Sequence, residues 1–251
     1  MAVQTMLRIL HLDTRLVAID KPAGLLVHRS GLDAGETQFA LQMLRDQLGQ
    51  PVWPLHRLDK GTSGVLLFAL DAQAASLLGQ QFEAGTALRK RYLAVVRGWP
   101  PPDGEVDHPL TRMADDARAG RLQAQSARSR FQTLAQYSLP LPQGRFPGTR
   151  CALVALEPLT GRRHQLRRHM KYIAHPIIGD ATHGKGPLNR ALAELLGIGR
   201  LWLHAQALEL TPPWAEAPLR VECAPGPEWA RWAQSAACDT IAATQTMTRT
   251  P

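Results

Sequence analysis

Residues 56–70 read His56-Arg57-Leu58-Asp59-Lys60-Gly61-Thr62-Ser63-Gly64-Val65-Leu66-Leu67-Phe68-Ala69-Leu70. The last six are an uninterrupted apolar run, which suits a strand buried on both faces. Asp71 follows directly and is a good N-cap for a helix that carries Leu77, Leu78 and Phe82 to a stop at Gly85. The nine residues ahead of the run are polar or glycine, apart from Leu58. A loop rich in chemical groups is therefore delivered onto a rigid core strand, a common way to position reactive side chains.

Working outward, residues 7–11 and 15–20 predict two strands about a turn at Asp13, closed by Lys21-Pro22-Ala23-Gly24. Residues 38–48 carry Leu41, Leu44 and Leu48 at helical spacing and end at Gly49. Residues 91–96 predict another strand. From 100 to 149 the text turns proline-rich and polar, and predicts a connector or small lobe with weak internal order. Strand character returns at 151–156, a helix is predicted over 162–173, and strands over 201–210 and 219–223. Trp229 and Trp232 fall on a last short helix, with a disordered tail over 236–251. Short turns between several neighbouring strands favour antiparallel pairing. The fold class is therefore α+β: a mixed, mostly antiparallel sheet flanked by helices around a central cleft, in one domain spanning 1–235.

The chain of 251 residues, 45% hydrophobic and 20% charged, is too apolar for wholesale disorder. It has no run of ~20 apolar residues to span a bilayer and no secretory leader at its start. Cys151, Cys223 and Cys238 stand singly, which makes neither a disulfide framework nor a paired metal site. These features point to the cytoplasm. Lys plus Arg is 29 against 21 acids, a net charge of +8 that favours a polyanionic partner, nucleic acid or an anionic membrane surface. GxGxxG and GxxxxGK[ST] loops are both missing, so no nucleotide cofactor is expected.

Within this frame Asp59 is a candidate reactive carboxylate. It is flanked by Arg57 and Lys60, whose charge favours its ionised form. The same residues also suit a structural role, with Asp59 capping a turn and Thr62 and Ser63 satisfying backbone groups. Residues 161–175 are strongly basic. As one helix they would bury Leu166, Met170 and Ile173 and align Arg163, Arg167 and Lys171 on an adjacent face, either a phosphate cradle or simply a solvated surface. His164 and His169 are five apart, off the i, i+4 spacing of paired ligands, so no metal is expected. Tyr92, embedded in Arg89-Lys90-Arg91 and Arg97, is either a stacking platform for a base or an ordinary core tyrosine.

Together these segments resemble the RluA-type pseudouridine synthases. Residues 56–64 match every fixed position of that family's His-Arg-Leu-Asp-x-x-Thr-Ser-Gly motif. Residues 161–167 match its Gly-Arg-x-His-Gln-Leu-Arg signature, and residues 175–180 and Leu203-His204-Ala205 follow in family order. The likeness runs from about 7 to 223 and implies the pseudouridine synthase fold. It also implies Asp59 as the catalytic residue, a nucleophile or base at the ribose, with Arg167 paired to it. Tyr92 would stack on the target uracil, Leu166 and Leu203 would wall its pocket, and Arg57 would fill the place of the flipped base. No cofactor and no obligate protein partner are implied. Residues 26–30, the doubled Arg167-Arg168 and Thr182-His183-Gly184 are closest to the branch that modifies tRNA, at position sixty-five of the T-stem. Ribosomal RNA as substrate, and a noncatalytic RNA-binding module on the same scaffold, are the alternatives.

Overall fold

The structure is a computed structural model that describes residues 6–29, 35–85, 88–113 and 123–236. The 237–251 part of the expected tail and the 114–122 part of the expected connector lie outside the described residues. In chain order the elements are β1 (Arg8–Leu12), β2 (Leu16–Lys21), α1 (Ala40–Leu48), β3 (Trp53–Pro54), β4 (Ser63–Ala69), α2 (Ala72–Ala84), β5 (Leu88–Arg97), β6 (Asp103–Asp107), β7 (Leu110–Thr111), β8 (Ala124–Gln125), β9 (Arg128–Leu139), β10 (Thr149–Pro158), α3 (Gln165–Tyr172), α4 (Gly186–Leu196), β11 (Leu203–Leu210), β12 (Leu219–Glu222) and α5 (Arg231–Ser235).

Ten strands form one mixed, mostly antiparallel sheet, ordered β1-β2-β4-β11-β5-β10-β9-β6, with β12 against β11 and β3 against β4. The α+β class with flanking helices is what the sequence predicts. All seven residues of β4 are buried, because α2 covers one face through Ala74 and Leu78 and α1 the other through Ala40 and Leu44. The Asp13 turn closes as its side chain accepts from the amides of Arg15 and Leu16, both at 2.7 Å. Asp71 caps α2 by accepting from the Ala74 amide at 2.7 Å, and Gly85 ends it in the left-handed conformation. Among the described residues no helix is long and apolar enough to cross a membrane.

Three expectations need correction. Within the stretch over 100–149 the described residues are not weakly ordered: β6 and the twelve-residue β9 belong to the main sheet, β9 lying between β6 and β10. A bulge between the pairs Leu153↔Ala135 and Val154↔Thr133 turns β9 over. Phe131 thus packs on one face of the sheet while Tyr137 and Leu139 pack on the other. Next, the helix predicted over 162–173 begins only at Gln165. The Gln165 side chain ties the preceding turn, accepting from Thr160 Oγ1 and the Arg162 amide at 2.7 and 3.0 Å. Arg163 therefore precedes the helix, Arg167 is buried and Lys171 is exposed, so the three do not form one basic face. Finally α4, absent from the sequence reading, buries Leu188, Leu192 and Leu196 beside Trp202, Trp229 and Trp232.

Candidate active site

The loop over 56–62 enters the sheet where β4 meets β11, the one parallel pairing among the described strands. Gly64 has φ +106, and a Cβ there would lie 2.2 Å from the Ala205 carbonyl oxygen, so only glycine permits this approach. A directed hydrogen-bond chain fastens the junction. Arg200 Nη2 donates to Ser63 Oγ at 2.6 Å, leaving the Ser63 hydroxyl to donate to His204 Nδ1 at 2.9 Å. The His204 Nε2–H then donates to the Cys223 carbonyl at 3.0 Å. Burial lowers the His204 pKa, consistent with this neutral tautomer.

Inside the loop, Thr62 N donates to the Asp59 carbonyl at 3.0 Å, so Asp59 does close a turn through its backbone. Its side chain is left for the cleft. Arg167 Nη1 donates to Asp59 Oδ2 at 2.8 Å from 108 residues away in sequence. The rest of that guanidinium is gripped by Asp180: Nε donates to Oδ2 at 2.7 Å and Nη2 to Oδ1 at 2.8 Å. Such a planar fork leaves Arg167 one orientation. The Asp180 carboxylate also accepts from the amides of Thr182 and His183 at 2.9 and 2.8 Å. Burial pushes the Asp180 pKa up, but the bonds from Arg167, His183 and Thr182 outweigh it and the net shift is downward.

A cleft of about 860 Å³ opens in front of Asp59, and Arg57, Tyr92, Leu166, Arg167 and Leu203 all line it. The six site residues predicted from the sequence thus share one cavity. Leu166 and Leu203 are buried beneath it, Tyr92 is half-buried and Arg57 exposed. Burial, and then the Asp59 charge, push the Tyr92 pKa above that of a free phenol. Its hydroxyl is therefore protonated at neutral pH, which suits stacking or donating a hydrogen bond and disfavours action as a base.

Several groups here were not assigned a role from the sequence. Lys21 is fully buried, its Nζ donating to the carbonyls of Pro22 and Leu25 at 2.8 Å and of Lys60 at 3.3 Å, which ties β2 to the Asp59 loop. Burial lowers its pKa to about 7 against the pull of Asp59, with Arg200 adding to the fall. His164 holds a left-handed backbone (φ 53) and stands with Nε2 3.8 Å from Asp59 Oδ1. Its Nδ1 lies 3.1 Å from His183 Nε2. An apolar strand run ending in lysine, and a histidine at the edge of a helix, were the available signals.

Comparison with known proteins gives a consistent result. The family model for RNA pseudouridylate synthase matches residues 15–172. The chain is 51% identical over 210 residues to tRNA pseudouridine synthase C of Haemophilus ducreyi, covering 82% of this chain and 86% of that protein. It is 46% identical over 228 residues to tRNA pseudouridine synthase C of Vibrio cholerae, covering 89% of this chain and 93% of the relative. The solved structure of Human RNA Pseudouridylate Synthase Domain Containing 1 aligns with TM-score 0.73 over 98% of this chain and 94% of that one. Its sequence is 24% identical, so this likeness concerns the fold.

Proposed function

This chain belongs to the RNA pseudouridylate synthase family and is an RNA pseudouridine synthase, and from that premise we propose that it isomerises a uridine of transfer RNA with Asp59 as its catalytic carboxylate. The carrying observation is the contact of Asp59 with Arg167 at 2.8 Å in a cleft also lined by Tyr92, Leu166 and Leu203. The names of the relatives support tRNA as substrate. Within tRNA the proposed target is position sixty-five of the T-stem, with the cytoplasm as the place of action. We read residues 1–235 as one catalytic domain.

The reaction breaks the bond from ribose C1′ to uracil N1 and forms one from C1′ to C5, while the C5 proton is lost and N1 gains one. Atoms and electrons balance within the nucleotide, so no cofactor is required. Enzymes that hydrolyse a glycosidic bond generally need a second carboxylate to activate water; an isomerase needs only to hold the freed base until it rejoins. Asp59 engages the sugar, and Arg167 pairs with that carboxylate and orients it in a partly dry site. Tyr92 stacks on the uracil between the walls made by Leu166 and Leu203. A uridine in a stem must leave its stack at a cost of a few kcal/mol, and exposed Arg57 fills its place. Tritium release from tRNA labelled at uridine C5, with mapping of the pseudouridine formed, tests both activity and position. Release without a pseudouridine at position sixty-five would move the target, and no release would remove the substrate.

A further inference from the structure

The cleft does not end at Asp59. It continues into an arm walled by His56, Phe82, Glu83, Leu88 and Lys90. Lys90 and Tyr92 are two residues apart on β5 and both face the cleft, which puts them about 7 Å apart along the strand. None of the steps assigned to Asp59 uses this arm.

His56 brings no charge to it. Its Nε2 accepts from the Leu67 amide at 3.1 Å, so the ring proton sits on Nδ1. Burial and the neighbouring Lys90 push its pKa down to about 3. The His56 ring lies parallel to Phe82 with centroids 5.3 Å apart, and Lys90 Nζ stands 5.0 Å from the Phe82 centroid. Glu83 is exposed at the rim and forms no ion pair with Lys90. Among the described residues no carboxylate or other acceptor pairs with the Lys90 ammonium, and burial lowers its pKa to about 8. The face of Phe82 attracts the ammonium as a cation–π contact, but a half-buried cation without a counterion still lacks most of the compensation that water gives it. An anion presented from the cleft would offset that cost. The RNA carries one on each side of the target nucleotide, a short reach from the ribose held at Asp59.

We propose that this arm binds a phosphodiester flanking the flipped uridine, with Lys90 as its cation. The inference rests on the function proposed above and adds a subsite to it. Lysine suits this task as a compact point charge on a flexible stem.

The test uses full-length protein, tRNA, and the variants Lys90→Met and Lys90→Arg, with thermal melting to verify that each folds. Lys90→Met should weaken tRNA binding about tenfold at low salt. It should also lower the slope of log K against log salt by about one phosphate's share, 0.7 to 0.9. The Michaelis constant for tRNA should rise in step with the loss of affinity, and Lys90→Arg should keep both slope and affinity. A tRNA with one uncharged methylphosphonate, 5′ or 3′ of the target uridine, should reproduce the loss on wild type for one of the two linkages and add nothing on Lys90→Met. An unchanged slope for Lys90→Met, or losses that add, overturns the subsite while wild-type pseudouridine formation on the same tRNA leaves the proposed function standing. If wild type forms no pseudouridine, the function falls and the subsite with it.

Discussion

Replacing Asp180 by Asn tests whether Arg167 is held in place by a carboxylate that never needs to touch RNA. The Asp180 side chain is fully buried, and its two oxygens accept four hydrogen bonds, two from Arg167 and two from the amides of Thr182 and His183. Asparagine keeps one acceptor oxygen. If that oxygen serves Thr182 and His183, its NH2 group is turned on Arg167 Nε, donor against donor; turned over, it confronts the two amides instead. One buried donor left unsatisfied costs about 1–3 kcal/mol, and loss of the charge leaves Arg167 with Asp59 alone. Removing one partner of a buried ion pair costs about 3–5 kcal/mol in all. For a chain of this length that corresponds to a melting temperature lower by roughly 6–20 °C.

The pH dependence gives a second handle on the same residue. The folded-state pKa of Asp180 lies below its ordinary value of 3.8, so the unfolded chain binds its proton first as the medium is acidified. Its stabilisation is then complete above about pH 4 and is lost as the pH falls through the lower folded pKa. Urea unfolding of wild type and Asp180→Asn should accordingly show a gap that is full at neutral pH and narrows in acid. The turnover number should fall, because a guanidinium free to rotate no longer presents Nη1 to Asp59. Equal stability at neutral pH, or a gap that ignores pH between neutral and strongly acid solution, would refute the anchoring of Arg167 by Asp180.

Three further outcomes are expected. Asp59→Asn should abolish pseudouridine formation while leaving tRNA affinity within a few-fold of wild type by filter binding; equal loss of both would make Asp59 structural. Arg57→Ala should slow turnover more on a stem uridine than on the same uridine in a single strand, and equal slowing in single-turnover assays would remove its part in base flipping. Lys21, with a pKa near 7 folded against 10.5 free, binds its proton more readily in the unfolded chain. Wild-type stability should therefore rise relative to Lys21→Met as pH is raised from about 7 towards 10, and a constant difference in urea unfolding would rule out a buried, neutralising lysine.

What the sequence discloses follows the range of the interactions. The unit over 56–85 is local: a polar loop, an apolar run, an Asp cap and a glycine stop, each within a few residues of what it controls. Strand β9 escaped notice because its inward residues toward one face are Ser129, Phe131 and Thr133, too polar to read as alternation, and because the bulge then switches faces. Helix α4 had a detectable signal in Leu188, Leu192 and Leu196 behind Pro187, masked by the glycines that precede it. Tyr92, Arg167 and Asp59 come together across the sheet, and no spacing encodes that; their pairing was legible only through the likeness of the motifs to a known family. The grip of Asp180 on Arg167 was not legible at all. Its carboxylate sits beyond the end of α3, in a turn whose position depends on Gly179, where a Cβ would fall 1.7 Å from the Arg200 carbonyl oxygen.

That turn and the Gly64 junction explain why the cleft lies where it does. β4 and β11 share only the pairs His204↔Ser63 and Ala205↔Gly64. Past them β4 pairs with β3 at Phe68 and Ala69, and β11 with β12 from Ala207 onward. The two strands thus meet at one point and take different neighbours beyond it, so the chain entering β4 arrives at an opening in an otherwise continuous sheet. Arg200 is common to both constraints: its side chain holds Ser63, and its backbone closes on Gly179 beside Asp180. The Asp59 loop and the Asp180 turn, more than a hundred residues apart, are referenced to the same residue. Arg167, clamped by Asp180, therefore reaches Asp59 with little freedom to miss it. The placement of the Asp59 carboxylate is thus a property of the sheet junction and of the Asp180 turn, not of the residues that line the rest of the cleft.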